Sequence, residues 1–221
     1  MKKAIFQAVL FDLDGTLLDT APDFLTSTNL LLSKKGMPLL NENDIRWLVS
    51  HGSAGIIRNA FKIDEAHQDF EPTRQELLAL YKANLADQTR PFDGINELLL
   101  ELGRQQTPWG IVTNKPELYT LAILEQLPLS PSPATIICPD HVTNTKPDPE
   151  SIILACHQLG IAPKDTVYIG DHLRDIEAGL RAGTTTIAAA YGYTGEKEDI
   201  SSWGAHHTVS CATQLHDLIF E

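Results

Sequence analysis

The chain has 221 residues, 43% hydrophobic and 21% charged, enough to bury the core of one domain with a smaller subdomain beside it. Against 17 Lys and Arg stand 29 Asp and Glu, a net charge of −12. That balance argues against nucleic acid or an anionic membrane as partner, because phosphate-backbone binding needs clustered Lys and Arg. Met1-Lys2-Lys3 precedes an apolar run, but Gln7 and Asp12 interrupt it too early for a signal peptide, and no stretch is long enough to span a membrane. Cys138, Cys156 and Cys211 are odd in number and lack C-x-x-C spacing, so they read as packed thiols of a cytoplasmic protein, with no disulfide framework and no zinc.

In chain order, Ala8-Val9-Leu10-Phe11 has the length and residues of a buried parallel strand. It runs straight into Asp12-Leu13-Asp14-Gly15-Thr16. An extended backbone points residues i and i+2 to one side, so the two carboxylates face one point and repel unless a cation lies between them. A hard divalent ion with a preference for oxygen, such as Mg2+, suits that place. Gly15 lets the backbone turn and brings an N–H close to an anion. Taken alone, the motif leaves a plain polar turn open as the alternative.

Residues 17–90 carry no strand signal. A helical pattern begins at Pro22 and stops at Gly36, and a second covers about Glu42 to Val49. His51-Gly52-Ser53-Ala54-Gly55 breaks the pattern, Ile56 to Phe61 resumes it, and a fourth helix spans about Pro72 to Leu85. This helical insertion ends at Pro91-Phe92-Asp93-Gly94 and is expected to act as a mobile lid. From Ile95 onward helices and short apolar runs alternate, with runs ending at Val112, Cys138, Ile169 and Ala190, and a last one at Thr208–Ser210. Such alternation specifies a doubly wound parallel sheet whose ligands bind beyond the carboxyl ends of the strands. Asp12, Thr113 and Asp171 all fall at such ends.

Three further stretches carry complementary chemistry: Thr113-Asn114-Lys115-Pro116, Thr145-Lys146-Pro147-Asp148-Pro149-Glu150, and Gly170-Asp171-His172-Leu173-Arg174-Asp175. With Asp12-Leu13-Asp14-Gly15-Thr16 they resemble, in order, the four signature motifs of the haloacid dehalogenase superfamily, over essentially the whole chain. The resemblance implies an α/β, Rossmann-like core (residues 1–16 and 91–221) with an inserted all-helical cap (residues 17–90). It implies a phosphoric monoester hydrolase with Asp12 as nucleophile, forming an aspartyl phosphate, and Asp14 as general acid and then base. Mg2+ would be held by Asp12, Asp171 and the backbone carbonyl of Asp14. The Thr113 hydroxyl, the backbone N–H groups of Thr113 and Asn114, and Lys146 would bind the phosphoryl group, and Asp175 would support Lys146 or a metal water. A second acid is common where His172 stands, and His172 is expected at the pocket rim or in solvent.

Asp14 speaks against dehalogenases and phosphonate-cleaving relatives, which lack the second acid. A sugar phosphomutase and a non-catalytic binding protein remain as weaker alternatives, although none of Asp12, Asp14, Lys146 or Asp171 is lost. The cap resembles that of phosphoglycolate phosphatases. Cys138-Pro139-Asp140-His141-Val142, and Tyr191-Gly192-Tyr193 followed by Trp203-Gly204-Ala205, resemble the N-acetylmuramic acid 6-phosphate phosphatases of bacterial cell-wall recycling. The small phosphorylated metabolite would meet the cap at His51 to Gly55, with His51 as a contact and Arg46 and Arg58 as candidate partners of a carboxylate. Whether the chain is a monomer or a homodimer is not legible.

Overall fold

The computed structural model describes residues 3–195 and 199–220, so the Met1-Lys2 start of the signal-like stretch lies outside the described residues. The chain divides into two compact units, Met1–Leu18 with Pro91–Glu221, and Asp19–Arg90. Strand β1 (Ala8–Phe11) opens the first, and a two-residue strand, β2 (Leu18–Asp19), leads into the second. There follow α1 (Ala21–Lys34), α2 (Glu42–Val49), α3 (Gly52–Ile56), which continues as a π-helical stretch over Ile57–Phe61, and α4 (Phe70–Ala83). Strand β3 (Arg90–Pro91) pairs with β2. The first unit resumes with α5 (Ile95–Arg104), β4 (Trp109–Val112), α6 (Glu117–Gln126), β5 (Thr135–Ile137) and α7 (Glu150–Leu159). It ends with β6 (Thr166–Gly170), α8 (Leu173–Ala182), β7 (Thr185–Ala189), β8 (His207–Val209) and α9 (Leu215–Ile219).

The expected parallel sheet is present, with six strands in the order β5-β4-β1-β6-β7-β8. All four residues of β1 are fully buried, as an unbroken apolar run flanked on both sides requires. Phe11 lies level with Ile111 on β4 and Ile169 on β6. Asp12, Thr113 and Asp171, one or two residues further on, therefore come together at one edge of the sheet. Gly160 and Gly183, with φ of +67° and +83°, end α7 and α8 in the left-handed conformation that glycine adopts without strain.

Two readings need correction. Ser53 and Gly55 do not lie in a loop: the chain breaks only at His51-Gly52, where Gly52 takes φ +66°, and the helix resumes at once. The Gly55 N–H bonds the His51 carbonyl at 3.2 Å, a helical bond that the absent side chain permits, because a Cβ on Gly55 would collide with that of His51. Cys138 and Cys156 are buried as expected, with Cys138 pushed up to about 11 chiefly by burial, but Cys211 is exposed.

Within the helical unit, α1 packs on α4 through Phe24 stacked on Tyr81, their ring centroids 3.8 Å apart. Asp23, fully buried in the first turn of α1, accepts hydrogen bonds from the Gln88 N–H (2.8 Å), the Thr89 N–H (3.2 Å) and the Thr89 hydroxyl (2.5 Å). The carboxylate thus ties the start of the unit to its end. Asp23→Ala strands three donors, so urea unfolding is expected to show a loss of about 2–4 kcal/mol, with Asp23→Asn losing less because it keeps one acceptor. A loss below about 1 kcal/mol for the alanine variant would contradict the clasp.

Candidate active site

The ends of β1, β4 and β6 place Asp12, Thr113 and Asp171 side by side at the sheet's carboxyl edge. Lys146 reaches them from the turn before α7, and Asp175 from the first turn of α8. The Lys146 side chain is wholly buried, with its Nζ 3.0 Å from Asp12 Oδ1 and 2.7 Å from Asp175 Oδ1. It also donates to the Val112 carbonyl (2.9 Å) and the Tyr168 hydroxyl (2.8 Å). Burial alone lowers an ammonium's pKa, but Asp12 and then Asp175 outweigh it and hold Lys146 above the usual lysine value. Burial, Asp175 and Asp12 likewise raise Tyr168 well above its usual value, so its hydroxyl stays neutral and donates to Val112 or Asp175.

Asp12 spends one oxygen on the protein. Its Oδ1 accepts from the Leu13 N–H (2.7 Å) and Lys146, whereas Oδ2 has no hydrogen-bond partner among the described residues. Asp171 accepts from the Thr16 hydroxyl at 3.1 Å and from the Tyr193 N–H at 2.7 Å. Carboxylate oxygens of Asp12, Asp171 and Asp175 lie within 4.8 Å of one another. Burial first, then the charges of Asp12 and Asp175, push the Asp171 carboxyl well above the usual carboxylate range. A buried acid so disfavoured by its neighbours is a group short of a cation, and an all-oxygen donor set fits a hard divalent ion.

The expected ligands and the observed cluster overlap at Asp12 and Asp171. The cluster's third carboxylate is that of Asp175, which also accepts from the His172 N–H at 3.1 Å. The Asp14 carboxylate is outside it, held through both oxygens by Lys115 Nζ at 3.0 and 3.2 Å. One expected phosphoryl donor is corrected, because the Thr113 N–H is taken up in the sheet by the Ile137 carbonyl at 2.9 Å. The Thr113 hydroxyl accepts from the Lys115 N–H (3.2 Å), which leaves its proton to donate. The Asn114 side chain locks two motifs together, donating to the Lys146 carbonyl (3.0 Å) and accepting from the Lys146 N–H (3.2 Å). His172 is half-buried and caps α8, accepting from the Arg174 N–H.

In the helical unit, His51 is exposed, bonded through Nδ1 to the Trp47 carbonyl at 2.9 Å and packed edge-on against the Trp47 ring. Arg46 is ion-paired to Asp19 and Glu42, and Arg58 to Glu65.

The sequence assigned no role to Lys115, Tyr168 or the Tyr191-Gly192-Tyr193 turn. Lys115 follows Thr113-Asn114 at a strand mouth, which was a usable signal. So was Tyr168, since a hydroxyl in a buried strand needs a partner. The tyrosine turn entered only as part of a resemblance, yet Tyr191 donates to the Thr16 carbonyl at 2.9 Å. A Cβ on Gly15 or on Gly192 would collide with the Asp171 side chain, so the two glycines let the turn and the first motif close on that acid.

The family model of the haloacid dehalogenase-like hydrolases matches residues 9–189. The chain belongs to the haloacid dehalogenase-like hydrolases. It is 43% identical to the N-acetylmuramic acid 6-phosphate phosphatase of Pseudomonas aeruginosa over 219 residues, covering 99% of this chain and 97% of that protein. It is 41% identical to the phosphoglycolate phosphatase of Xanthomonas campestris, covering 95% of this chain and 94% of that protein. A solved Haemophilus somnus structure, described as a "predicted phosphoglycolate phosphatase", superposes with a TM-score of 0.85 at 24% identity over 96% of this chain and 97% of that one, a likeness of fold. Among haloacid dehalogenase-like hydrolases the chain is thus a phosphatase, an enzyme of the class the four motifs imply.

If Asp171 is destabilised for want of a cation, Mg2+ stabilises the protein and chelator does not. Saturation to about 100 Kd is worth ~2.7 kcal/mol, read as a rise in the melting temperature. Asp171→Asn removes a buried acid, keeps one acceptor oxygen for the Tyr193 N–H and offers its amide N–H to the Thr16 hydroxyl, which can accept; it is expected to melt no lower than the metal-free wild type and to gain nothing from Mg2+. An equal Mg2+ response in the variant would contradict the assignment.

Proposed function

We propose that this phosphatase is Mg2+-dependent and cleaves a small phosphomonoester through an aspartyl phosphate on Asp12. The observation that carries this reading is the asymmetry of Asp12, one oxygen pinned by Leu13 and Lys146 and the other without a hydrogen-bond partner among the described residues. In the first step Oδ2 forms a bond to phosphorus while the bond to the alcohol oxygen breaks, and that oxygen takes its electron pair and a proton from Asp14. In the second, Asp14 removes a proton from water, water oxygen bonds to phosphorus, and the Asp12–phosphorus bond breaks to release inorganic phosphate. Lys146, the Thr113 hydroxyl and the Asn114 N–H balance the charge on the phosphoryl oxygens. Asp12, Asp171 and the Asp14 carbonyl would hold Mg2+, which would supply the positive charge that this acidic centre lacks.

The substrate is read as N-acetylmuramic acid 6-phosphate, met in the cytoplasm during cell-wall recycling, with His51 as a contact from the helical unit acting as the lid. Support comes from relatives of that name at 43% identity over nearly the whole chain. Relatives named phosphoglycolate phosphatase at 41% favour a second reading, 2-phosphoglycolate. Both compounds carry a primary phosphomonoester and a carboxylate, so the catalytic groups treat them alike. A sugar-sized site holds phosphoglycolate loosely, with a high KM.

Asp12→Asn is expected to abolish phosphate release while the protein stays folded by circular dichroism. Retention of more than about a hundredth of the wild-type rate would exclude Asp12 as nucleophile. For substrate, kcat/KM is compared for the two compounds under one set of conditions. N-acetylmuramic acid 6-phosphate is expected to lead, and a preference for phosphoglycolate of about tenfold, equivalent to ~1.4 kcal/mol of transition-state binding, would overturn the assignment.

A further inference from the structure

Lys115 is a second buried cation at the strand mouths, and none of the four motif roles uses it. It is 7% exposed, and its ammonium donates to both oxygens of Asp14, at 3.0 and 3.2 Å. Its own backbone is held at both ends. The Lys115 N–H donates to the Thr113 hydroxyl at 3.2 Å, and its carbonyl accepts from the Thr120 hydroxyl at 3.3 Å. Asp14, by contrast, sits in a tight turn where the Gly15 N–H returns to the Leu18 carbonyl at 2.9 Å, and its side chain is 19% exposed. A rigidly based lysine from the end of β4 thus reaches across to the carboxylate that follows β1.

From this we infer that Lys115 is the positioning residue of Asp14. It fixes the direction in which the carboxylate faces the leaving oxygen, keeping one Asp14 oxygen while the other turns to the substrate. The inference rests on the reading of Asp14 as general acid and base. Without the lysine, the carboxylate loses the two bonds that set its direction, and proton transfer loses its geometry although the proton carrier remains.

The leaving group separates this role from others. kcat/KM reports the steps up to transfer of the phosphoryl group to Asp12. An alkoxide needs a proton in that step, and 4-nitrophenolate does not. The test compares Lys115→Met with wild type on 4-nitrophenyl phosphate and on whichever of N-acetylmuramic acid 6-phosphate and 2-phosphoglycolate the wild type hydrolyses faster. Expected is a loss of at least tenfold in kcat/KM on the alkyl phosphate, less than threefold on the aryl phosphate, and partial recovery in Lys115→Arg. Asp14→Asn is measured beside it, and the double variant is expected to be no slower than Asp14→Asn alone. Lys115→Gln takes the place of Lys115→Met if the latter melts early. Equal losses on both substrates, or a double variant a further tenfold slower than Asp14→Asn, would overturn the inference, since Lys115 would then act on the phosphoryl group or the fold directly. If Asp14→Asn itself shows no difference between the substrates, the acid role of Asp14 fails, and the inference with it.

Discussion

The Lys146 ammonium lies out of reach of water, between Asp12 and Asp175 and against two further oxygens. Desolvating such a charge costs several kcal/mol, so it survives only where every proton finds an acceptor. That requirement places the rest. Asp175 has to arrive from the first turn of α8, which positions that helix directly after Asp171. Tyr168 has to bring a hydroxyl into an otherwise apolar strand, and Val112 has to leave its carbonyl unspent at the end of β4. Asp12, gripped through one oxygen, is left with the other for chemistry.

Charge sets the second constraint. A protein of net charge −12 that binds a phosphate ester needs a strongly local positive field. Lys146 and Lys115 supply two cations against Asp12, Asp14, Asp171 and Asp175. The balance is two positive charges short before any substrate arrives, and Asp171 registers the excess of negative charge as a raised pKa. A divalent cation brings the sum to neutrality. The site is therefore poised for a divalent cation and poorly suited to a phosphate anion without one.

Much of this was legible because it depends on local rules. The apolar run before Asp12, the helical pattern that stops at Gly36 and the alternation after Ile95 each follow from chain chemistry alone, and the parallel sheet with a helical insertion follows from them. Contacts between distant segments were not legible. Nothing near Lys115 in sequence says that it will meet Asp14, 101 positions away, and nothing near Tyr193 says that its N–H will meet Asp171. The loss of the Thr113 N–H to the sheet depends on strand register, which the residue types leave open. At His51-Gly52 the glycines read as a loop, whereas tertiary packing uses the second of them, Gly55, to let a helix begin close to His51.

The central claim is that Asp12 receives the phosphoryl group. The most direct measurement uses Asp14→Asn, which lacks the base for the second step, mixed with 4-nitrophenyl phosphate, whose leaving group needs no acid. The mixture is quenched in acid and the protein is digested and mapped by mass. One phosphoryl group per chain is expected, on the peptide that contains Asp12, formed as nitrophenolate is released. Nitrophenolate and inorganic phosphate released together with no label on the protein, or label on any other residue, would contradict it.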